Sequence, residues 1–517
     1  MAPGASNSAF ILVYDLGTTA CKTLLYDVNS GAVVKSTAIE YPTYHPRELW
    51  AEQRPIDWWN AVVESTRTVL RGIDPGSVEA IGLSGQMMAC LPVNREGNAL
   101  HNAIIWMDQR SVDEVELIRS RVEEREFYRV TGNRLSPTYP IAKILWLKRN
   151  KPEIYEKTHV FLQPKDYIVS KLTGALQTDY TDASLTAMLD IHKKSWAHEL
   201  LRDIGIDTSK LPEIKSSFEV VGEISGEVAN KLGMSKRVPV VVGCGDGVCT
   251  TLGAAATELG DSYVYLGASA WISTISEKPV VDSSMRLFNM VYVDPRYYAP
   301  IGTMQTAGAA LKWFKDNVFL LEKNTADLLG VSPYELIDSE AERSTTGSRG
   351  LLFLPYLMGE RAPWWSPYAR GVLLGFTLSH TRHDIARAVL EGVAFNLGLI
   401  AECFAENGID LGRQVSLIGG GAKSRIWPRI LSSILNKALA VLRHKVEVAA
   451  LGASIVAACA MRIYSSVNEA KKINPAERIV YPDPVEVEAY RKILPLFKRS
   501  YVALEQVFEE LGKLTEK

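Results

Sequence analysis

Apolar runs that stop at glycine alternate along this chain with segments whose apolar residues recur at helical spacing. Phe10–Tyr14 and Thr23–Asp27 read as a hairpin, and Ala32–Tyr41 as a third strand. Pro55 to Leu70 places Trp58, Val62 and Val63 on one helical face. Ala80-Ile81-Gly82-Leu83-Ser84-Gly85-Gln86 is a short buried strand ending at Ser84-Gly85. Helices are predicted at about 112–129, 140–150 and 164–172. Val238 to Val242 is wholly apolar, as a strand covered on both faces would be, and ends in Gly243-Cys244-Gly245-Asp246-Gly247.

The second half repeats this plan. A hairpin begins at Asp261, a longer strand region runs through Val291–Pro300, and helices are predicted at 306–318, 383–405 and 424–437. Val415-Ser416-Leu417-Ile418-Gly419-Gly420-Gly421 matches the earlier glycine-ended strand. Val485–Lys517 reads as one long amphipathic helix. Hairpin and glycine-ended strand thus recur in the same order, which predicts duplication of a whole α/β domain.

The two hairpin turns are alike in composition. Leu16-Gly17-Thr18-Thr19-Ala20-Cys21 and Leu266-Gly267-Ala268-Ser269-Ala270-Trp271 both join glycine to small or hydroxyl residues. Such turns leave N–H groups and hydroxyls unobstructed, as a phosphate chain requires. Facing each other, they would hold a triphosphate in a cleft between two domains. No Gly-x4-Gly-Lys-Ser/Thr motif occurs, so a P-loop site is not expected.

Bulk properties change this picture little. The 517 residues are too many for one core, and the expected division is 1–252 and 253–517. A net charge of −2 offers no basic field for nucleic acid or an acidic membrane. Mean hydropathy is near zero, and no apolar run approaching a membrane span is expected. Met1–Ser8 reads as a small polar leader and not a signal peptide. The six cysteines are scattered through apolar segments. Reduced thiols and a cytoplasmic setting are expected. Cys244 and Cys249 lack a second pair at ligand spacing, so no zinc site is expected.

Several ordered motifs carry a family resemblance. They are Tyr14-Asp15-Leu16-Gly17-Thr18-Thr19, Trp50 to Trp59, Ser84-Gly85-Gln86-Met87, Ile105-Trp106-Met107-Asp108-Gln109-Arg110 and Lys143-Ile144-Leu145-Trp146. In the second half they are Leu354 to Pro363, Arg370 to Glu391 and Gly419-Gly420-Gly421-Ala422-Lys423-Ser424. With these the chain resembles the FGGY carbohydrate kinases, within the actin-like ATPase superfamily, over nearly its full length. The resemblance implies an α/β fold of two ribonuclease-H-like domains, of the actin/hexokinase type, around a central cleft. It implies ATP-dependent phosphorylation of a small sugar, with ATP and Mg²⁺ as cofactors, and suggests a homodimer.

The resemblance also assigns roles. Asp246 would be the general base; on residue pattern alone it could equally cap the helix from Val248 onward. Asp15 would hold Mg²⁺ through water or merely stabilise the turn. Thr18 and Thr19 would bind phosphate, with Lys22 adding charge or standing in solvent. Gly267, Ala268 and Ser269 would form the opposing phosphate loop, with Ala268 where the family commonly has Thr or Ser. Gly308, Gly421 and Ala422 would border the adenosine, although Gly308 also suits plain helix packing. Arg425 would lie over the purine or on the surface.

Gln86, Met87, Met88, Trp106 and Asp108 would line the acceptor pocket with Asp246. Both methionines and Trp106 also suit a core. The pocket is most similar to the xylulokinase branch, which implies a pentulose such as D-xylulose. Met88 and Gly247 stand where xylulokinases usually have His and Asn, so another ketose or a polyol is a second reading. A catalytically weak sugar sensor and a cytoskeletal ATPase of the same fold are further readings. The charged face at 117–126 reads as solvated surface. Trp364-Trp365 reads as local packing, a cleft wall or a subunit contact.

Overall fold

The structure is a computed structural model that describes residues 9–515. The leader Met1–Ser8 and the last two residues of the predicted tail helix lie outside that range. The first sheet contains β1 (Phe10–Leu16), β2 (Ala20–Asp27), β3 (Ala32–Glu40), β4 (Val78–Gly85), β5 (Val220–Glu223), β6 (Pro239–Val241) and β7 (Cys244–Gly245). Its order is β5-β6-β4-β1-β2-β3, with β7 on the end of β4. The second contains β8 (Ser262–Leu266), β9 (Ala270–Thr274), β10 (Phe288–Val291), β11 (Tyr298–Met304), β12 (Gln414–Ile418), β13 (Ala438–Leu442) and β14 (Ala476–Val480). Its order is β10-β11-β9-β8-β12-β13-β14.

The central five strands share one plan. β3-β2-β1-β4-β6 in the first sheet matches β11-β9-β8-β12-β13 in the second. In each, an antiparallel three-stranded meander joins two parallel strands. This is the expected ribonuclease-H-like arrangement, present twice. Every residue of β1 is buried, which explains its unbroken apolar run. β3 alternates between half-buried and exposed positions, as suits a strand with one solvated face.

Two predicted elements are corrected. Val291–Pro300 is not one strand region: it holds the end of β10, a turn at 292–297 and the start of β11. Asp294 closes that turn, accepting from the N–H groups of Tyr297 at 3.0 Å (backbone) and Arg296 at 3.0 Å (side chain). This local Asp-Pro turn chemistry overrides the apolar run before it. The helix predicted at 112–129 is two, Val112–Arg119 and Glu124–Thr131. Ser120 bonds back to Leu117 O at 2.7 Å, and Glu123 is extended, so the chain breaks between them.

The helices used below are α1 (Pro55–Val69), α2 (Pro140–Asn150), α3 (Pro164–Thr173), α4 (Asp246–Gly253), α5 (Gly308–Asn317), α6 (Arg382–Glu406), α7 (Val448–Ala460) and α8 (Pro484–Thr515). By length and composition α6 could cross a membrane, but 83% of its most apolar window is buried in protein. It is a core helix. Trp364 stacks on Tyr501 of α8 at 4.0 Å, and Trp365 donates to Arg286 O at 2.9 Å. The aromatic pair is therefore local packing.

α7 was not foreseen, and it joins the halves. It comes from the second half yet packs on β1, β4 and α4. A Cβ on Gly82 of β4 would stand 3.0 Å from Ala453 O and 2.9 Å from Ala457 Cβ. At the helix crossing, a Cβ on Gly253 would stand 2.0 Å from Val448 O, and one on Gly452 would stand 2.0 Å from Cys249 O. Only glycine permits that approach.

Cys244 and Cys249 form a disulfide, with Cα atoms 5.9 Å apart. This corrects the expectation of reduced thiols throughout. The chain leaves β7 and turns directly into α4, which returns the two sulfurs to each other. Cys21, Cys90, Cys403 and Cys459 are free.

Gly452→Val should lower the urea midpoint of unfolding by an amount equivalent to about 3 kcal/mol, because neither backbone can retreat. Gly226→Ala, at a helical glycine with open space around it, should leave the midpoint unchanged or slightly higher.

Candidate active site

The first turn is held in place by the chain around it. Gly17 N–H donates to Ala20 O at 3.0 Å, and Tyr41 N–H to Thr19 O at 3.1 Å. Gln53 Nε2 donates to Thr18 O at 2.6 Å, and Tyr41 donates its hydroxyl to Gly17 O. The second turn is braced by the start of α5. The N–H groups of Ala307 and Ala309 donate to Ala268 O at 2.8 and 3.0 Å, and Gly308 N–H donates to Gly267 O at 2.8 Å. A Cβ on Gly308 would stand 2.5 Å from Gly267 O. Close backbone approach therefore requires this glycine.

A cavity of about 720 Å³ opens beside the second turn. Tyr265, Gly267, Ala268, Gly308 and Gly421 line it, with Asp338 and Trp427 on the far side. Gly419 and Gly421 press against the end of β8: added Cβ atoms would meet Leu266 O at 2.4 Å and Leu266 Cγ at 2.5 Å. Two nucleotide expectations change here. Ala422 is fully buried beneath the wall. Arg425 does not face this cavity: its Nη2 donates to Ser339 Oγ at 2.9 Å and its N–H to Asp338 Oδ2 at 3.0 Å.

Asp246 begins α4 at the mouth of β7. Gly245 N–H donates to Thr181 Oγ1 at 2.8 Å, and Thr181 Oγ1 donates to Asp179 Oδ2 at 2.7 Å. That pair fixes the turn before the carboxylate. Burial, together with the charge of Asp15, pushes the Asp246 carboxyl up to about 7, against a smaller opposing effect of the Gly247 N–H. Asp15, near the end of β1, is 8% exposed. Burial raises its carboxyl too, and Lys22 opposes that rise. The two carboxylates therefore share one poorly solvated cleft.

Met87 packs under this turn. A Cβ on Gly245 would meet Met87 Sδ at 2.5 Å, and one on Gly247 would meet Met290 Sδ at 3.0 Å. Two methionines thus occupy the space beside Gly247. Met88 is half-buried with φ of +66°, a conformation costly for a bulky side chain. Lys143 on α2 secures it. Its Nζ donates to Met88 O and to Ile105 O, both at 2.8 Å. One buried cation therefore clamps the two segments that carry Met88 and Trp106. Burial pulls its ammonium down to about 7, with the charge of Asp108 opposing.

Trp106 Nε1 donates to Thr18 Oγ1 at 2.9 Å, which ties the expected acceptor wall to the first phosphate turn. Gln86 is buried, donating Nε2 to Gln53 Oε1 at 2.7 Å, so the amide mainly supports the network beneath. Asp108 is a correction. It is fully buried, takes Ala51 N–H at 2.6 Å and pairs with Arg110 at 2.8 Å. Arg110 also pairs with Glu52 at 2.8 Å and lies 3.7 Å from the centre of the Trp50 ring. No Asp108 oxygen is left for a sugar.

The second sheet adds cleft residues that sequence reading missed. Tyr265 and Trp271 stack at 3.9 Å, and Trp271 Nε1 donates to Tyr263 Oη at 2.9 Å. Burial raises both tyrosine hydroxyls, and the Asp246 charge adds to the rise. The period-two spacing of Tyr263 and Tyr265, with Trp271 opposite, was the available signal. Among the described residues no cluster of three or more His, Cys, Asp or Glu side chains could hold a metal. A Mg²⁺ ion keeps waters and phosphate oxygens, so one carboxylate, Asp15, fits such a role.

Comparison with known proteins agrees with this geometry. The N-terminal domain of the FGGY family of carbohydrate kinases matches residues 10–253, and its C-terminal domain matches 262–461. The chain belongs to the FGGY family of carbohydrate kinases. It is 31% identical to a gluconokinase of Bacillus subtilis over 505 residues, covering 98% of each chain. It is also 31% identical to a xylulose kinase of Staphylococcus xylosus over 496 residues, covering 95% of this chain and all of the other. The ligand-bound xylulose kinase of Lactobacillus acidophilus superposes with a TM-score of 0.90 at 30% identity, over 97% of this chain and all of that one.

Lys143→Met should raise the acceptor KM about tenfold while the KM for ATP stays within about twofold, as steady-state kinetics would show. Two carbonyls lose their donor on the acceptor side alone.

Proposed function

We propose that the protein transfers the γ-phosphoryl group of ATP to a terminal hydroxyl of a small open-chain sugar or sugar acid. The observation that carries this reading is Asp246, a half-buried carboxylate beside Asp15 with its pKa near neutrality. A base so poised takes a hydroxyl proton as the oxygen bonds to phosphorus. Bound Mg·ATP would supply the electrophilic phosphoryl group. Thr18, Thr19, Gly267 and Ser269 would receive its phosphates, Asp15 its metal, and Gly308 and Gly421 its adenosine. Met87, Met88 and Trp106 would wall the acceptor.

Xylulose kinases and gluconokinases resemble the chain equally. A pentulose such as D-xylulose and a six-carbon sugar acid are therefore the two acceptor classes to weigh. Met88 and Gly247 supply no hydrogen-bonding side chain where xylulokinases usually have His and Asn. That weakens the case for an ordinary pentulose pocket. The family's two-domain cleft also favours closure around substrate, which keeps water from the phosphoryl group.

Asp246→Asn should lower kcat by about 10² to 10⁴ in coupled ADP-release assays, with ATP binding within about twofold of wild type. Wild-type turnover in a folded Asp246→Asn protein would end the base assignment. The pH profile tests the same group. Below its raised pKa the carboxyl is protonated and cannot act as base. The acceptor kcat/KM should therefore rise about tenfold per pH unit up to about 7 and then level off. Asp15→Asn removes the neighbouring negative charge and should move that inflection to lower pH.

A further inference from the structure

The half-buried Arg361 makes no ion pair among the described residues. The buried guanidinium groups of Arg110 and Arg387 are paired: Arg110 with Glu52 and Asp108 at 2.8 Å each, and Arg387 with Glu391 at 2.7 Å. The half-buried Arg286 pairs with Asp282 at 2.7 Å. Among the described residues the Arg361 guanidinium has no hydrogen bond or ion pair; only its backbone is engaged, through its N–H and its carbonyl. The carboxylate next to it is committed elsewhere. Glu360 Oε1 accepts from Gln305 N–H at 2.6 Å and from the Arg361 N–H at 2.7 Å. Its Oε2 faces Asn396 Nδ2 at 3.5 Å. Burial pushes this carboxyl up to about 8, against the two N–H groups and the Arg361 charge. A poorly solvated guanidinium with no hydrogen-bonded carboxylate is costly unless a ligand supplies one.

Its place in the sheet shows what that ligand would span. Ala362 N–H donates to Thr303 O at 2.9 Å, which sets Arg361 at the flank of β11. Tyr265 on β8 faces Trp271 on β9, and Trp271 faces Thr303 on β11. Thr303 is 8% exposed, and its Oγ1 has no partner. Asp246 lies at the β8 end of this row, where its charge reaches Tyr265. Arg361 lies at the β11 end, where its charge reaches Tyr139 from the first half. Strands stand about 4.8 Å apart, so β8 to β11 covers about 10 Å. An extended six-carbon chain with a hydrogen bond at each end spans about 12 Å.

We infer that Arg361 and Thr303 form a carboxylate subsite and that the acceptor is an open-chain aldonate, a polyhydroxy acid of five or six carbons. Its carboxylate lies in the guanidinium fork, with Thr303 Oγ1 donating beside it. Its far terminal hydroxyl then reaches Asp246. The stacked Tyr265–Trp271 pair forms an apolar floor for the carbon chain between. This inference rests on the kinase reading above and narrows it to one acceptor class.

The test is ADP release with D-gluconate, D-xylonate, D-xylulose and xylitol, using wild type, Arg361→Gln, Arg361→Lys and Thr303→Val. The expected result is a kcat/KM for an aldonate at least about tenfold above that for either neutral compound. Arg361→Gln should raise the aldonate KM about tenfold or more, with kcat within about threefold and the neutral KM values nearly unmoved. Arg361→Lys, which keeps the charge and guards against a folding defect in the Gln variant, should recover part of the loss, and Thr303→Val should cost about threefold. Preference for D-xylulose, with Arg361→Gln shifting all acceptors alike, would overturn the aldonate subsite and leave the kinase reading standing. Calorimetric titration with D-gluconate separates the opposite case. Binding abolished by Arg361→Gln, without ADP release from any acceptor, would sink the kinase reading and keep the subsite. Neither binding nor release with D-gluconate would sink the subsite.

Discussion

The close crossing of α4 and α7 is the constraint on which the cleft depends. Backbone meets backbone there, at Gly253 against Val448 O and Gly452 against Cys249 O. α7 belongs to the second half in sequence but fills the face of the first sheet through Gly82. α4 begins with Asp246. The carboxylate is therefore mounted on a helix gripped by both halves, and its position relative to the second phosphate turn follows from one rigid joint. A second joint lies at the other side of the interface. Asn289 donates from both its N–H and its Nδ2 to Gly132 O, at 3.1 and 3.2 Å. Between these joints the two glycine-rich turns face the same space.

Electrostatics in that space follow from its dryness. Burial raises the carboxyls of both Asp15 and Asp246; the charge of Asp15 adds to the rise at Asp246, and Lys22 opposes the rise at Asp15. Three basic side chains of the first half are held by other partners. Lys143 is spent on two carbonyls, Arg110 on two carboxylates and Lys165 on Asp166, Asp179 and Asp182. The last group also supports the catalytic turn, since Asp179 holds the Thr181 hydroxyl that receives Gly245 N–H. Among the described residues no cation pairs with Asp246, whose carboxylate meets only the Gly247 N–H.

Local rules carried much of this to the reader of the sequence. Strand runs ending in glycine, the two hairpin turns and the Gly-Asp-Gly turn are set by residues within a few positions of one another. Their places in the fold followed from the repeat. Asp108 was misread because a motif match named it, although Arg110, two residues on, already claimed its oxygens. Arg425 was left open between purine and surface because its partner, Ser339, lies far off in sequence. Met88 gave no sign of its left-handed backbone, which exists because Lys143 reaches its carbonyl from another helix. α7 reads as a bland alanine-rich helix until the glycines it meets are known. The isolation of Arg361 is the hardest to foresee. Sequence shows Glu360 beside it, and only the fold shows that Glu360 is turned to backbone amides.

That isolation bears on how binding and catalysis are joined. In the proposed site, Met87, Trp106 and Asp246 would approach the acceptor from the first half, and Met290, Trp271, Thr303 and Arg361 from the second. A short neutral sugar could rest on the first half alone. A longer anion fixed at Arg361 must reach back across the row of strands to place its hydroxyl at Asp246, so it engages both halves at once. Binding energy gained at the charged end, remote from the chemistry, is then available to align the reacting end and to favour the closed cleft. Substrate length and charge would in that way become conditions for phosphoryl transfer, with water, which satisfies neither, left a poor acceptor.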